Sequence, residues 1–156
     1  MTGPVVATVR TAPATLAEWI TTRGAALFRA LMRRGLSFEM AASVVPMILT
    51  HWKRETGAVD EYNNNPGNIR AGQNHARMLL GGLDYNAYST IDEGVEAYLH
   101  VLEGRYRKQL HDVLVNQLSP LGWYDANMRQ GYHPWSQQAL TEYQQIYTRL
   151  TRGLTP

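Results

Sequence analysis

The segment that decides the fold is HWKRETG, residues 51–57, followed a few residues later by NNNPGNIR, residues 63–70. The first piece is typical of the last turn of a helix, because Gly57 suits the left-handed conformation that ends helices. Glu55 is therefore predicted to lie where the helix gives way to a loop. In the second piece asparagines can bond their own backbone, proline fixes φ and glycine permits positive φ, which predicts a tightly specified turn.

A third piece, YSTIDEGVEAY at residues 88–98, is predicted to open another helix. Ser89 and Asp92 are predicted to form the capping box of this helix. Apolar residues then recur at helical spacing to about residue 106. They are Ile91, Val95, Tyr98, Leu99 and Leu102. An acid at a helix end that faces an ordered polar turn is one way to form a cleft.

Composition limits what the chain can be. Its 156 residues suit one domain that buries roughly 68–70% of its unfolded surface without covalent cross-links. It has no cysteine, which excludes disulfides and thiolate chemistry. The formal charge is +2, and thirteen of the fifteen basic residues are arginine. This mild excess suits an anionic polymer, but a GC-rich genome also favours arginine, and we prefer the second explanation.

No export or membrane signal is found in the sequence. Residues 1–13 lack the charged start and the unbroken apolar core of a secretory signal. No apolar run approaches the length that a membrane span needs. We therefore expect a protein that is made in the cytoplasm and carries no membrane span.

The chain is predicted to be mainly helical, with an N-terminal arm over residues 1–14 and one domain over residues 15–156. Apolar spacing predicts a first helix from Thr15 to Arg34, stopped by the glycine that follows. Gly24 weakens the middle of this helix and could split it.

Ser37 is predicted to cap a second helix over residues 38–45. Pro46 either kinks that helix or lies in the first turn of a new one. We prefer the new helix, because Ser43 lies just upstream as a possible cap.

The segment over residues 71–88 lacks helical period and predicts a small irregular hairpin around Gly81-Gly82. A short helix over 110–118, an aromatic loop over 121–134 and a final helix over 135–150 complete the prediction.

The order and spacing of these pieces resemble the peptidoglycan N-acetylglucosaminidases of glycoside hydrolase family 73. The matching parts are Glu-Thr-Gly at a helix end, the Asn-rich turn ending in Gly-Asn-Ile-Arg-Ala-Gly, the Gly-rich hairpin and Tyr-Ser-(x)2-Asp-Glu-Gly-Val-(x)2-Tyr. They cover roughly residues 46–150. The family includes flagellar-rod hydrolases, autolysins, phage lysins and some secreted antibacterial effectors. Where it often has Asn-Asn-x-Phe-Gly-Ile-Lys, this chain has NNPGNIR at 64–70, a variant that also resembles short virion-associated proteins.

The resemblance implies a mainly α, lysozyme-like single domain with a small irregular β-hairpin beside the cleft. It also implies that Glu55 is the catalytic acid. A glutamic acid with an ordinary pKa of about 4.3 is mostly ionised at neutral pH, so an acid role requires a raised pKa. Trp52, three residues earlier on the same helical face, could desolvate the carboxyl. The alternative is a solvated last-turn residue, where an acid opposes the helix dipole.

The second catalytic group is left open between two carboxylates. Asp84 in the hairpin is the first choice, since the family often carries a carboxylate there, and Glu61 is the second. Inverting glycosidases place their two carboxyls about 6.5–9.5 Å apart and retaining ones about 5–5.5 Å. A third route uses the N-acetyl group of the substrate and needs no protein nucleophile. Asp92 and Glu93 are assigned to capping and to the helix dipole.

Aromatic and amide side chains are the candidates for sugar binding, since sugar rings stack on aromatic faces. The predicted substrate-binding residues are Trp52, Tyr62, Asn64, Asn65, Tyr85, Tyr88, Trp123 and Tyr132. The resemblance assigns Tyr106 to the cleft as a further catalytic-site residue. For Asn64 and Asn65, shaping the turn is the stronger alternative. Trp135 and Tyr143 are predicted to belong to the core.

The predicted function is a peptidoglycan hydrolase that cleaves β-1,4 glycosidic bonds, of the N-acetylglucosaminidase type. The alternatives are a muramidase or lytic transglycosylase on the same fold, and a non-catalytic wall-binding or virion-associated module. The five histidines are scattered, so neither a metal nor a cofactor is predicted. The expected partners are peptidoglycan strands and, for a secreted effector, an inhibitor or immunity protein, but no nucleic acid. A protein without an export signal would reach the cell wall by lysis, in a virion or through a specialised secretion system.

Overall fold

The computed structural model of the protein describes residues 3–56, 60–72, 75–105 and 137–152. In these ranges it contains four helices and one antiparallel pair of strands. In chain order they are α1 (Leu16–Arg33), α2 (Phe38–Thr56), β1 (Arg77–Leu80), β2 (Leu83–Asn86), α3 (Ile91–Arg105) and α4 (Gln137–Thr151). A mainly helical chain with one small hairpin is thus confirmed. The helix predicted over 110–118 and the loop predicted over 121–134 lie outside the described residues.

Helix α1 begins and ends where its sequence predicts. The Thr15 hydroxyl caps its first turn by accepting the Glu18 N–H at 3.1 Å. Gly35 follows with φ of +86°, a conformation that glycine adopts without strain. Gly24 does not split the helix. It lies where α4 comes close, because an added Cβ would be 3.0 Å from the Leu150 side chain.

Helix α2 runs unbroken through Pro46, so the prediction of a separate helix at that residue was wrong. The Ser43 hydroxyl is not a cap: it donates back to the Glu39 carbonyl within the helix. An interior proline costs roughly 3 kcal/mol, whereas burying one large aliphatic side chain stabilises by about 1.5–3 kcal/mol. Five such side chains around the proline are buried, which outweighs its cost. They are Val44, Val45, Met47, Ile48 and Leu49.

The core forms around α2, which is buried on all sides along its middle, residues 44–50. Helix α1 contacts α2, α3 and α4, and α4 also packs on α2. The predicted apolar stripe of α3 faces this core. Tyr143 of α4 packs against the core as predicted, and burial raises its pKa to about 12. None of the helices in the described ranges has the length and apolarity needed to cross a membrane.

The start of α3 differs by one residue from the predicted capping box. Thr90 is the cap, and its hydroxyl accepts the Glu93 N–H at 3.2 Å. The Glu93 carboxylate in turn accepts the Ser89 N–H at 3.0 Å. Asp92 does not take part in the cap, and its carboxylate instead forms an ion pair with Arg29 of α1 at 3.0 Å. Glu93, not Asp92, therefore completes the capping box, because the helix begins at Ile91.

The hairpin is regular and closed by the two predicted glycines. Gly81 and Gly82 have φ of +59° and +78°, which the tightest hairpin turn requires at both central positions. Both outer edges of the hairpin are covered. Residues 69–71 lie along β2, where the Asn86 N–H donates to the Ile69 carbonyl at 2.9 Å.

The other edge is covered by the N-terminal arm, here residues 3–14. The Val6 N–H donates to the Arg77 carbonyl at 2.8 Å, and the Arg77 N–H donates to Pro4 at 3.0 Å. Farther along, the Thr11 N–H donates to the Glu61 carbonyl at 3.0 Å. The arm is thereby hydrogen-bonded to the hairpin and to the loop after α2.

The Thr11 hydroxyl makes two bonds that fix the arm, and its loss should destabilise the protein. It donates to the Glu61 carboxylate at 3.0 Å and accepts the Asn64 N–H at 2.9 Å. Thr11→Val keeps the shape but removes both bonds, so the free energy of unfolding should fall by about 1–3 kcal/mol. Urea unfolding monitored by tryptophan fluorescence measures this change.

Thr8→Val is the matched control. The Thr8 hydroxyl donates to the Leu79 carbonyl at 2.8 Å in an exposed position, where water can replace it. This variant should lose less than about 0.5 kcal/mol. Equal losses in the two variants would contradict the special role of Thr11.

Candidate functional site

Residues 63–70, here named the Asn turn, follow the loop that leaves α2. Asn63, Asn64 and Asn68 have φ of 47°, 55° and 51°, a left-handed conformation that asparagine tolerates better than most residues. The Asn63 side chain binds the arm, since its amide donates to the Ala7 carbonyl at 2.8 Å. The asparagines of this turn are therefore first of all backbone-shaping residues.

Asn65 and Asn64 use their side chains inside the protein, as the alternative interpretation of the sequence proposed. Asn65 has no exposed area, and its amide group donates to the Ile69 and Asn86 carbonyls at 3.0 and 2.9 Å. Its carbonyl oxygen accepts the Ile69 N–H at 2.9 Å. The Asn64 amide donates to the Tyr88 carbonyl at 3.0 Å. In this conformation Asn65 is closed to a ligand, contrary to its predicted substrate contact.

The Asn turn packs directly on α3 at two glycines. A Cβ on Gly94 would overlap the Asn64 carbonyl oxygen, so α3 meets the turn backbone at this residue. A Cβ on Gly67 would overlap the Tyr98 ring. Gly94 and Tyr98 are four residues apart and lie on one face of α3. The spacing Gly-Val-(x)2-Tyr is thus explained by packing.

Tyr98 also contacts α2, near its C-terminal end. Its ring meets Trp52 edge-on at a centroid distance of 5.0 Å and lies 6.4 Å from His51. Trp52 has no exposed area. Its predicted role as a substrate contact is not supported in this conformation, because the indole lies within the core.

Glu55 lies in the last turn of α2, which ends at Thr56 as predicted. It is three residues beyond Trp52, so the buried indole fixes the helical turn that leads to it. The backbone position of Glu55 is thereby set by the same Trp52–Tyr98 contact that holds the Asn turn.

Glu61 is a structural residue, which argues against it as the second catalytic group. Its carboxylate is completely buried and paired with the Arg23 guanidinium of α1. The Arg23 Nε donates to it at 2.9 Å, and a second guanidinium nitrogen binds the other carboxylate oxygen. That second nitrogen, Nη2, also donates to the Thr11 carbonyl at 2.9 Å. The pair joins α1, the arm and the loop after α2.

The carboxylate of Asp84 is also bound to an arginine, Arg77. Both of its carboxylate oxygens accept from the Arg77 guanidinium, at 3.0 and 2.9 Å. Successive strand residues point to opposite faces, so Asp84 and Tyr85 lie on opposite faces of the hairpin. The two residues therefore cannot line the same side of one cleft, although both were predicted site residues.

The remaining tyrosines of the predicted site are dispersed. Tyr62 is half-buried and pairs through its backbone with Arg10 of the arm. Tyr88 is buried, and its hydroxyl accepts from the Asn86 amide at 3.1 Å. Burial raises the pKa of the Tyr88 phenol, and the amide contact only partly opposes this shift. Tyr106, Trp123 and Tyr132 lie outside the described residues, as does Trp135.

A mostly apolar groove of about 550 Å³ lies between the hairpin end and α3. Ile69, His75 and Tyr88 line one wall, while Glu96 and His100 line the other. Burial disfavours ionisation of Glu96, but hydrogen bonds and positive charge from two arginines outweigh it and hold its pKa below the ordinary value. Within the part of the chain that the structure describes, no three histidine or carboxylate side chains come together as a metal site.

Only some of these contacts could be predicted from the sequence. A glycine inside a predicted helix, as at Gly94, indicates a close approach. The pairing of Glu61 with Arg23, and the two bonds of the Thr11 hydroxyl, were missed, since they join residues far apart in the chain.

Comparisons with protein-family models, with characterised proteins and with solved structures gave no match to this chain.

The contact between Gly94 and Asn64 predicts a strong effect of a single methyl group. Gly94→Ala should lower the free energy of unfolding by about 1–3 kcal/mol or more, because the backbone carbonyl cannot move aside cheaply. Gly104→Ala is the control in the same helix, where an added Cβ meets nothing within 4 Å. It should be neutral or stabilise by up to about 1 kcal/mol. Chemical unfolding of both variants measures the difference, and a Gly94→Ala protein as stable as its parent would refute the contact.

The buried ion pair predicts that Glu61→Gln is a folding variant. It leaves the Arg23 charge buried without its partner, which should cost about 3–5 kcal/mol. Asp84→Asn removes a partly exposed pair and should cost about 0–1 kcal/mol. Melting temperatures of both variants test this order. A Glu61→Gln protein that melts at the parental temperature would show that the pair is dispensable.

Proposed function

We propose that the protein is a peptidoglycan hydrolase with a lysozyme-like domain, in which Glu55 is the general acid. One observation carries the proposal: the separated pieces of the resemblance form a single packed unit. Tyr98 of α3 lies between Gly67 of the Asn turn and Trp52 of α2, one turn before Glu55. Pieces that are scattered in sequence thus meet around one helix end.

The position of Glu55 suits an acid. The C-terminal end of a helix carries partial negative charge, which disfavours a carboxylate and favours the protonated carboxyl. A protonated carboxyl can donate its proton to the glycosidic oxygen while oxocarbenium character builds on the sugar. The reaction is hydrolysis of a β-1,4 bond of the glycan strand, of the N-acetylglucosaminidase type.

The described carboxylates favour a mechanism without a protein nucleophile. Glu61 is bound to Arg23 and Asp84 to Arg77. The acetamido oxygen of the substrate can instead attack the anomeric carbon as the leaving oxygen takes its proton, and water then opens the resulting ring. In a lytic transglycosylase the muramyl C6 hydroxyl attacks, and an anhydro-muramyl end results.

A wall-binding or virion-associated module remains the second candidate, and a specific observation favours it. The asparagines and glycines of the Asn turn already have structural partners. These residues are therefore explained by the packing of the turn alone, and a protein without catalytic activity would need them too. Under either proposal the protein acts at the bacterial wall, reached by lysis, in a virion or by specialised secretion, and a secreted effector would have an inhibitor protein.

Glu55→Gln tests the catalytic proposal. The amide keeps the shape but cannot supply the proton, so turnover on purified peptidoglycan should fall by at least about 10²–10⁴-fold. Removing a negative charge from a helix C-terminus should also raise the free energy of unfolding by roughly 0.3–1 kcal/mol. Release of soluble sugar and urea unfolding measure the two quantities.

Glu39→Gln is the matched control, since Glu39 is exposed in the first turn of the same helix. Its turnover should match the parent, and its stability should fall by roughly 0.3–1 kcal/mol, opposite in sign to Glu55→Gln. A folded Glu55→Gln protein with parental turnover would end the hydrolase proposal.

A further inference from the structure

Arg70 lies at the end of the Asn turn, with its guanidinium over the ring of a tyrosine. Its backbone pairs with Tyr85 of β2 in an antiparallel bridge. Its guanidinium carbon lies 5.1 Å from the centroid of the Tyr85 ring. The residue is exposed to solvent. Such a cation–π contact restrains a long side chain that would otherwise sample many rotamers.

Arg70 forms no ion pair with a carboxylate in the described part of the chain, and its contact with an aromatic ring distinguishes it from Arg10 and Arg149, for which none is found there either. Five other arginines within the described ranges each bind one or more carboxylates. They are Arg23, Arg29, Arg33, Arg34 and Arg77. Asp84, next to Tyr85 in the chain, is on the opposite face of the hairpin and bound to Arg77. Arg70 thus presents an exposed guanidinium that is restrained by the Tyr85 ring and forms no ion pair with any carboxylate that the structure describes.

An oriented guanidinium is a fork of donors that matches the two oxygens of a carboxylate. A neutral sugar hydroxyl uses only part of that fork. We propose that Arg70, supported by the Tyr85 ring, binds a carboxylate of the glycan strand's peptide substituents. This inference rests on the proposed function and names what Arg70 would recognise: the acidic, peptide-bearing form of a β-1,4 glycan. Chitin has the same linkage but carries no carboxylate, so it lacks this contact.

The test measures binding to insoluble, purified peptidoglycan in the Glu55→Gln background, where the polymer stays intact during the assay. Arg70→Gln should bind peptidoglycan about three- to tenfold more weakly, the range of an exposed charge-assisted pair. Its binding to chitin should be unchanged. Arg149→Gln is the control, since Arg149 is also exposed but lies on α4. It should bind both polymers as the parent does.

A second experiment removes the negative charge of the peptidoglycan carboxyl groups. When carbodiimide and an amine convert peptidoglycan carboxyls to amides, the parent should lose the same factor, and Arg70→Gln should lose nothing more. Phosphate of attached wall polymers is the other possible anion, so the assay is repeated on peptidoglycan freed of them. The carboxylate assignment is overturned if the affinity difference between the parent and Arg70→Gln persists on amidated peptidoglycan but disappears on peptidoglycan without attached polymers.

Other outcomes separate this inference from the proposed function. Equal binding by the parent and Arg70→Gln on untreated peptidoglycan overturns the inference, and so does an equal loss on chitin. If the protein with Glu55 intact cleaves nothing, but its binding depends on Arg70 and on carboxyls, hydrolysis is excluded and this inference stands. Circular dichroism of each variant confirms that the fold is intact.

Discussion

The contact between the Asn turn and α3 is the constraint on which the rest of the structure depends. The Asn64 carbonyl lies where a side chain at position 94 would be, and Gly67 lies against the Tyr98 ring. Tyr98 in turn packs edge-on against Trp52, in the core of α2. Close packing of this kind leaves no room for slippage, since even one added methylene strains a dense interior. The exit of α2, the turn and α3 are therefore fixed relative to one another.

The buried and the exposed ion pairs contribute differently to the stability of the protein. The Arg23–Glu61 pair is buried and holds the arm against the loop after α2, so its loss would leave a charge in the interior. The pairs between α1 and α3, such as Arg33 with Glu96, are largely exposed and contribute little individually. Since Glu61 and Asp84 are both bound to arginines, the proposed chemistry depends on Glu55 and on the substrate's own acetamido group.

Much of the local structure could be predicted from the sequence, because its signals are local. The cap at Ser37 and the glycine turn of the hairpin follow from a few adjacent residues. Pro46 was misjudged because local chemistry favours a helix break there, whereas burial on all sides of α2 decides otherwise. The partner of Glu61 could not be predicted either, since nothing near it in sequence indicates Arg23.

The measurement that tests the central claim most directly is mass spectrometry of the soluble fragments that the purified protein releases from peptidoglycan. If Glu55 donates a proton in an N-acetylglucosaminidase reaction, the fragments end in a reducing N-acetylglucosamine. Anhydro-muramyl ends would assign the bond cleavage to a transglycosylase instead. A folded protein that binds the polymer and releases no fragment at all would contradict the enzymatic account.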